Sequence, residues 1–352
     1  MMAEMIRLSG SADVDAVSIA RAADVIRAGG LVAFPTETVY GLGAHALDAD
    51  AVARIFEAKG RPAGDPVIVH VTGASALDGV VATIPETARA LMQAFWPGPL
   101  TLILERGAAV PLRVTAGGPT VAVRVPAHPV AMALLRAAGV PIAAPSANRF
   151  SRPSPTTADD VAEDLGDRIN MILDGGPSTH GVESTVVDCT TAEPVVLRPG
   201  AITIESLRGV LPGISLASRA IVDTAAVLTS PGTLLKHYAP RAEVRLWTGA
   251  PDSLLPALRR DIDAQLAAGR RVGVLLVDED RAAITCASVD LMSLGSVAHL
   301  DEAAARLFAA LRALDRLGVD VIIARDLGRA GLGLTIWDRL FRAAEGRVLE
   351  SQ

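Results

Sequence analysis

Apolar positions recur at near-helical spacing between residues 14 and 28, among them Val14, Val17, Ala20 and Ile26. Gly29-Gly30 stops that pattern. LVAF at 31–34 is a continuous apolar run and reads as a buried strand. Residues 50–58 predict a second helix, with Val52, Ile55 and Phe56 inward and Asp48 or Asp50 as its cap. PVIVHV (66–71), LTLIL (100–104) and VAVRV (121–125) predict strands. Residues 128–138 read as a helix, and 140–148 as a strand running into a loop. A capped helix over 157–165 and a strand with a turn over 171–176 follow. STVVD (184–188) and PVVLRPG (194–200) close a mixed α/β domain.

Residues 211–240 show no firm periodicity and hold Pro212, Gly213, Pro231 and Gly232, which predicts an extended linker. Beyond it, EVRLW (243–247), VGVLLV (272–277) and VDVIIA (319–324) read as short buried strands. Helices are expected at 252–268 and 301–317, the latter with Leu307, Leu311, Leu314, Leu317 and Phe308 on one face. Strands alternating with helices predict a small parallel sheet. GLGL at 331–334 reads as a turn. The expected division is a domain over 1–210, a linker or lid over 211–240, and a C-terminal α/β domain over 241–352.

Composition sharpens this picture. Half the residues are hydrophobic but only 3% are aromatic. The cores must therefore be built from Ala, Val, Leu and Ile, which suits helices on a parallel sheet. A net charge of -6 argues against a globally basic nucleic-acid binder, while a local basic cleft leaves weak RNA contact compatible. Cys189 and Cys286 are far apart and form neither a metal-ligand spacing nor a disulfide framework, which fits a reducing cytoplasm. No apolar run approaches the roughly 20 residues needed to span a bilayer, so no membrane role is expected.

Lys59 and Lys236 are the only lysines among 33 basic residues. Tyrosine occurs only at 40 and 238, and asparagine only at 148 and 170. Biased codon usage explains the scarcity; the survivors should then mark positions where substitutes fail. All but Asn170 fall in the stretches 34–43, 59–70, 143–154 and 230–240.

FPTETVYGLG (34–43) is a hydroxyl-rich turn suited to an anion or amino-acid pocket, or an ordinary strand-to-helix loop. In KGRPAGDPVIVH (59–70), Lys59 offers phosphate a point charge and Arg61 a two-pronged donor, unless both simply satisfy a helix C-terminus. His70 either faces a site or is a satisfied core histidine. APSANRFSRPSP (144–155) places a donor-dense loop after a buried strand, where α/β proteins bind ligands. Arg124 lies in an apolar strand and needs a partner: a bound carboxylate or phosphate, or a structural Asp or Glu. Ser184, Arg198 and the linker residues Lys236, His237 and Tyr238 complete the candidates. No phosphate loop, complete dinucleotide fingerprint or H-E-x-x-H run is present.

Taken in order, PTETVYGLG (35–43), KGRP with PVIVH (59–70), RVPAH (124–128), PSAN (145–148), ESTVVD (183–188), LRPG (197–200) and SPG with HYAP (230–240) resemble the YrdC-like family in its long two-domain form. The resemblance spans nearly the whole chain. It implies a twisted open mixed sheet, a linker, and a smaller Rossmann-like parallel α/β domain. Members of that form join L-threonine, bicarbonate or CO2, and ATP into threonylcarbamoyl-AMP and pyrophosphate. A partner transferase complex then modifies tRNA.

The resemblance implies that Thr38, His70, Arg124, Ala144 and Ser184 line a threonine and carbamate pocket. It likewise assigns ATP to Arg61, Asp65, Thr120, Ser146, Asn148, Ser154, Arg198 and His237. Lys59, Arg61 and Arg124 are the expected catalytic cations. No acid cluster suggests a metal cage, so Mg2+ is expected to arrive with ATP. Asp65 departs from the family pattern, which commonly has Asn there. A carboxylate at that position should repel phosphate unless it holds metal or turns aside.

Overall fold

A computed structural model describes residues 2–10, 12–217, 237–284 and 288–351. Lys236, Cys286 and most of the expected linker lie outside those residues. The chain forms two compact units. The first runs to Phe150 and takes in Ser154–Thr179 and the chain from Glu183. The second takes Ser151–Pro153, His180–Val182 and the described residues from His237 onward.

In the first unit the elements are β1 (Glu4–Arg7), α1 (Ala12–Arg27), β2 (Val32–Phe34), β3 (Gly41–His45), α2 (Ala49–Lys59) and β4 (Ile68–His70). Then come α3 (Glu86–Phe95), β5 (Leu100–Glu105), β6 (Thr120–Arg124), α4 (Pro129–Ala138), β7 (Ile142–Ala143) and α5 (Ala158–Leu165). β8 (Met171–Asp174), β9 (Thr185–Asp188), β10 (Val195–Arg198), α6 (Ile204–Val210) and β11 (Ser215–Leu216) complete it. These strands form one mixed sheet in the order β1-β8-β2-β3-β7-β4-β6-β5-β9-β10-β11.

Local chemistry sets the boundaries. Asp48 caps α2 by accepting from the N–H groups of Asp50 and Ala51. Thr157 and Asp160 form a reciprocal capping box on α5. Pro129 opens α4, and His128 Nδ1 accepts from Val130 N.

Two apolar layers flank the sheet. The larger packs α2, α3 and α5 residues such as Ile55, Leu91 and Val161 against Val69, Leu102 and Val123. The other packs α1 and α4 through Ile26, Leu134 and Leu135 against Phe34, Ile142 and Leu173. Each such buried aliphatic side chain stabilises the fold by about 1.5–3 kcal/mol before entropy is charged against it.

The second unit holds β12 (Glu243–Thr248), α7 (Pro251–Ala267), β13 (Val272–Leu276), α8 (Arg281–Ile284), β14 (Val289–Ser293), α9 (Leu300–Leu317), β15 (Val321–Arg325), α10 (Leu332–Ala343) and β16 (Val348–Glu350). Its five-stranded sheet, ordered β14-β13-β15-β12-β16, is parallel throughout. This matches the expected α/β class for both units.

Several elements differ from the sequence reading. The GLG of 41–43 lies in strand β3 rather than in a loop; without β-branched residues its propensity gives no strand signal. GLGL at 331–334 opens helix α10 rather than forming a free turn, with Gly331 just outside it. Strand β11 falls inside the expected linker and pairs with β10. No helix among the described residues is long and apolar enough to cross a membrane.

Candidate active site

Strand alternation sets Ile68 and His70 on one face of β4, Ala122 and Arg124 on the same face of β6, and Thr101 and Ile103 on that of β5. The register places His70 beside Arg124, and Arg124 beside Thr101. Ile68, Ala122, Ile103 and Val186 make a small apolar cluster of their own. The intervening residues Val69, Val123, Leu102 and Val187 belong to the main core on the opposite face. The polar residues thus stand at one end of an apolar floor. Thr120 occupies the other end of β6, about 13 Å from Arg124 along the strand.

Arg124 is only 3% exposed. Its Nη2 donates to Glu37 Oε1 at 2.6 Å, its Nη1 to Thr38 Oγ1 at 2.9 Å, and its Nε to the Gly98 carbonyl at 3.2 Å. The charge in the apolar strand therefore has a structural acid as its partner, with N–H groups still to offer. Burial works against the Glu37 carboxylate, but Arg124 outweighs it and holds the carboxyl below its usual range. Thr38 Oγ1 also lies 2.7 Å from Thr36 Oγ1. Burial and the adjacent Arg124 charge press His70 down to about 3, so its imidazole is neutral. Phe34 meets that ring edge-on at 6.4 Å. Ala144 is fixed beside β4 by its N–H, which donates to the Ile68 carbonyl at 2.8 Å.

Ser184 joins the other strand. Its Oγ lies 2.7 Å from Thr101 Oγ1, and Arg198 Nη2 donates to the Ser184 carbonyl at 2.9 Å and to its Oγ at 3.2 Å. Gly200 makes this packing feasible. A Cβ there would sit 2.3 Å from Thr185 N and 2.4 Å from the Ser184 carbonyl carbon.

The end of α2 supplies further cations. Gly60 adopts the left-handed conformation (φ 67°), which ends the helix and lets Arg61 N donate to the Phe56 carbonyl at 2.9 Å. Lys59 Nζ donates to the carbonyls of Ser146 and Asn148. Ser146 Oγ donates to Asn148 Oδ1 at 2.6 Å, so the K-x-R and S-x-N segments form one piece. Arg61 Nε donates to the Asp65 carbonyl at 3.0 Å and its Nη2 to the Pro66 carbonyl at 2.7 Å.

Asp65 lies 2.9 Å from Arg61 Nη2, yet neither carboxylate oxygen completes a well-aligned hydrogen bond among the described residues. Burial raises its carboxyl above the usual range, against the pull of Arg61, Lys59 and Arg198. The fields of those three cations therefore meet at Asp65. Ser154 Oγ donates to Glu183 Oε1 at 2.5 Å.

The structure thus gathers Thr38, Lys59, Arg61, Asp65, His70, Arg124, Ala144, Ser146, Asn148, Ser184 and Arg198 within the first unit. Ser154 is buried there beside Glu183. His237 belongs to the second unit, where its ring meets Tyr238 edge-on at 4.0 Å and Tyr238 stacks at 5.2 Å on Phe308. Sequence reading passed over Glu37 and Thr101. The signal for Thr101 was present, as the only polar residue inside LTLIL. Among the described residues, no group of three or more His, Cys, Asp or Glu side chains is placed to hold a metal ion.

Comparison with known proteins bears on the family of the chain. The family described as "Telomere recombination" (Sua5, YciO, YrdC) matches residues 24–200, and the "Threonylcarbamoyl-AMP synthase, C-terminal domain" matches 202–345. The chain is 48% identical over 332 residues to threonylcarbamoyl-AMP synthase of Bacillus subtilis, covering 94% of each. It is 45% identical over 336 residues to the Pyrococcus abyssi enzyme of that name, again covering 94% of each. The crystal structure of P. abyssi Sua5 complexed with L-threonine superposes with a TM-score of 0.92 at 42% identity, covering 100% of both chains. The motifs, the mixed-sheet unit and the parallel C-terminal unit lead to one conclusion: this chain belongs to the two-domain Sua5–YrdC family.

Proposed function

We propose that this chain is a nucleotidyltransferase that joins L-threonine, bicarbonate or CO2, and ATP, releasing threonylcarbamoyl-AMP and pyrophosphate for tRNA modification. One observation carries the reading. The charges of Lys59, Arg61 and Arg198 all act on Asp65, and Arg198 is linked through Ser184 and Thr101 to Arg124 and its Thr38 contact, which suits a polyanion next to an amino acid. Relatives of this name at 45% and 48% identity, and the relative crystallised with L-threonine, support it.

In this reading Thr38, His70, Arg124, Ala144 and Ser184 surround the threonine. Arg124 has guanidinium N–H groups left for its carboxylate or carbamate. The amine adds to CO2 and loses a proton, giving a carbamate. A carbamate oxygen then attacks the α-phosphorus, and the bond to pyrophosphate breaks. Negative charge shifts toward the leaving group, where Arg61 and Arg198 stabilise it. Lys59 adds its field and holds the Ser146–Asn148 loop in place. Thr120 and Ser154 extend the nucleotide side; the role expected of His237 rests on the resemblance alone. Mg2+ would come as the counter-ion of the triphosphate and would supply charge neutralisation on its oxygens. A threonylcarbamoyl transferase is the expected recipient of the product.

The test is pyrophosphate release from ATP, Mg2+ and bicarbonate, with and without L-threonine. Release should require threonine, and Lys59→Ala should lose it while retaining the wild-type circular dichroism. Equal release without threonine would refute the reading.

A further inference from the structure

A cavity of about 530 Å³ lies at the carboxyl ends of the parallel strands β4 and β6. Thr72 follows β4 into its wall, and Val125 follows β6. One side is α3, which packs on the main core; the other is α4, which packs on the opposite face of the sheet. The crevice between helices on opposite faces, at strand carboxyl ends, is where open α/β sheets bind ligands. Its volume is within the range of small-molecule sites.

The lining has a specific chemistry. Arg89 of α3 and Arg136 of α4 enter it from opposite sides. Both are exposed, and neither guanidinium makes a hydrogen bond or ion pair among the described residues. The helix dipole accounts for Arg136, in the last turn of α4. It does not account for Arg89, near the amino end of α3, where a cation is disfavoured. Trp96 lines the same cavity, half-buried and fixed by its Nε1, which donates to the Leu100 carbonyl at 2.8 Å. Its indole N–H is thus engaged within the fold, and what remains for a ligand is the π-face. Two guanidinium groups suit a phosphate, and a fixed indole suits a flat base.

We propose that this crevice binds a nucleoside phosphate, with the phosphate between Arg89 and Arg136 and the base against Trp96. Lys59, Arg61 and Arg198 are not among the residues that line it, so it does not depend on the reaction proposed above. It is linked to Arg124, however. Pro97 lines the cavity, the next residue supplies the carbonyl that accepts from Arg124 Nε, and Val125 adjoins Arg124 in the chain. A bound ligand therefore bears on the segments that orient Arg124. The nucleoside phosphate has two sources, a free mononucleotide or an unpaired nucleotide of an RNA.

The experiment uses the full chain labelled with 5-fluorotryptophan, whose three tryptophans give three ¹⁹F resonances. Trp96→Phe assigns the Trp96 signal. Cytidine monophosphate is titrated in one arm and an unmodified tRNA transcript in the other. The Trp96 signal should shift saturably, and Arg89→Ala or Arg136→Ala should raise the half-saturation point about tenfold. Both variants should keep wild-type threonine-dependent pyrophosphate release, which shows that they fold. A shift with cytidine monophosphate assigns the free nucleotide as a source, and a shift with tRNA assigns the RNA. No Trp96 shift in either arm, or a shift undiminished when both arginines are replaced, overturns the proposal.

Discussion

Arg124 and Glu37 form an ion pair of 2.6 Å in which both side chains are under a tenth exposed. Such a pair is sensitive to loss of one partner, because the survivor is a buried, uncompensated charge. Glu37→Ala should cost about 3–5 kcal/mol of stability by denaturant titration. Glu37→Gln keeps an acceptor for Arg124 and should cost less. Under the proposed function it should raise the KM for threonine more than that for ATP, because Arg124 stands on the amino-acid side. Equal effects on both substrates would remove Glu37 from the orientation of Arg124.

Asp65 carries its carboxyl into the field of Lys59, Arg61 and Arg198. When ionised it competes with phosphate for those cations. Asp65→Asn should therefore lower the KM for ATP several-fold near neutral pH. Because burial raises its carboxyl, the wild-type KM should also fall as the pH drops and Asp65 takes up a proton. The asparagine variant should lose that pH dependence.

His70 is neutral in the fold, with its ionisation pressed from 6.5 to about 3. Below the ordinary histidine value the unfolded chain binds a proton that the folded chain refuses. Its contribution to stability is complete above about pH 6.5 and is lost as the pH falls toward about 3. Nitrogen NMR of His70 should show neutral imidazole at pH 5, and His70→Phe should flatten the loss of stability between pH 6 and 4. An imidazolium signal at pH 5 would contradict the burial described.

Gly200 lies against the backbone of Ser184 and Thr185. Gly200→Ala requires that backbone to move, with a cost of about 1–3 kcal/mol. The displaced group carries both the hydroxyl and the carbonyl that Arg198 uses. The melting temperature should fall, and pyrophosphate release should fall further than the melting temperature explains. Gly213→Ala, where nothing stands within 4 Å of the added carbon, is the control and should change neither.

Much of this was legible in the residue pattern. Apolar periodicity located α1, α2, α4, α5, α7 and α9, because each presents a contiguous apolar stripe to a core. β3 was hidden because glycine and alanine carry no strand propensity, and its place is fixed by antiparallel pairing with β2 and β7. The scarcity of lysine pointed to Lys59 but not to its contacts. Its Nζ binds two main-chain carbonyls, and carbonyls leave no trace in a sequence. Glu37 was masked by the hydroxyls around it, and Arg124 in an apolar strand demanded a partner that a bound anion would have met equally well. Thr101 stood out as the polar residue inside LTLIL, but the register that sets it opposite Arg124 is what gives that signal a meaning.

Lys59 donates to the carbonyls of Ser146 and Asn148, Arg61 to those of Asp65 and Pro66, Arg124 to that of Gly98, and Arg198 to that of Ser184. Every amino acid brings the same carbonyl. These anchors are therefore indifferent to side-chain identity at the accepting positions, provided the backbone keeps its path. Drift in the surrounding loops can proceed while the four cations stay aimed, whereas a single insertion between an anchor and its strand would misdirect a cation without altering any residue that touches substrate.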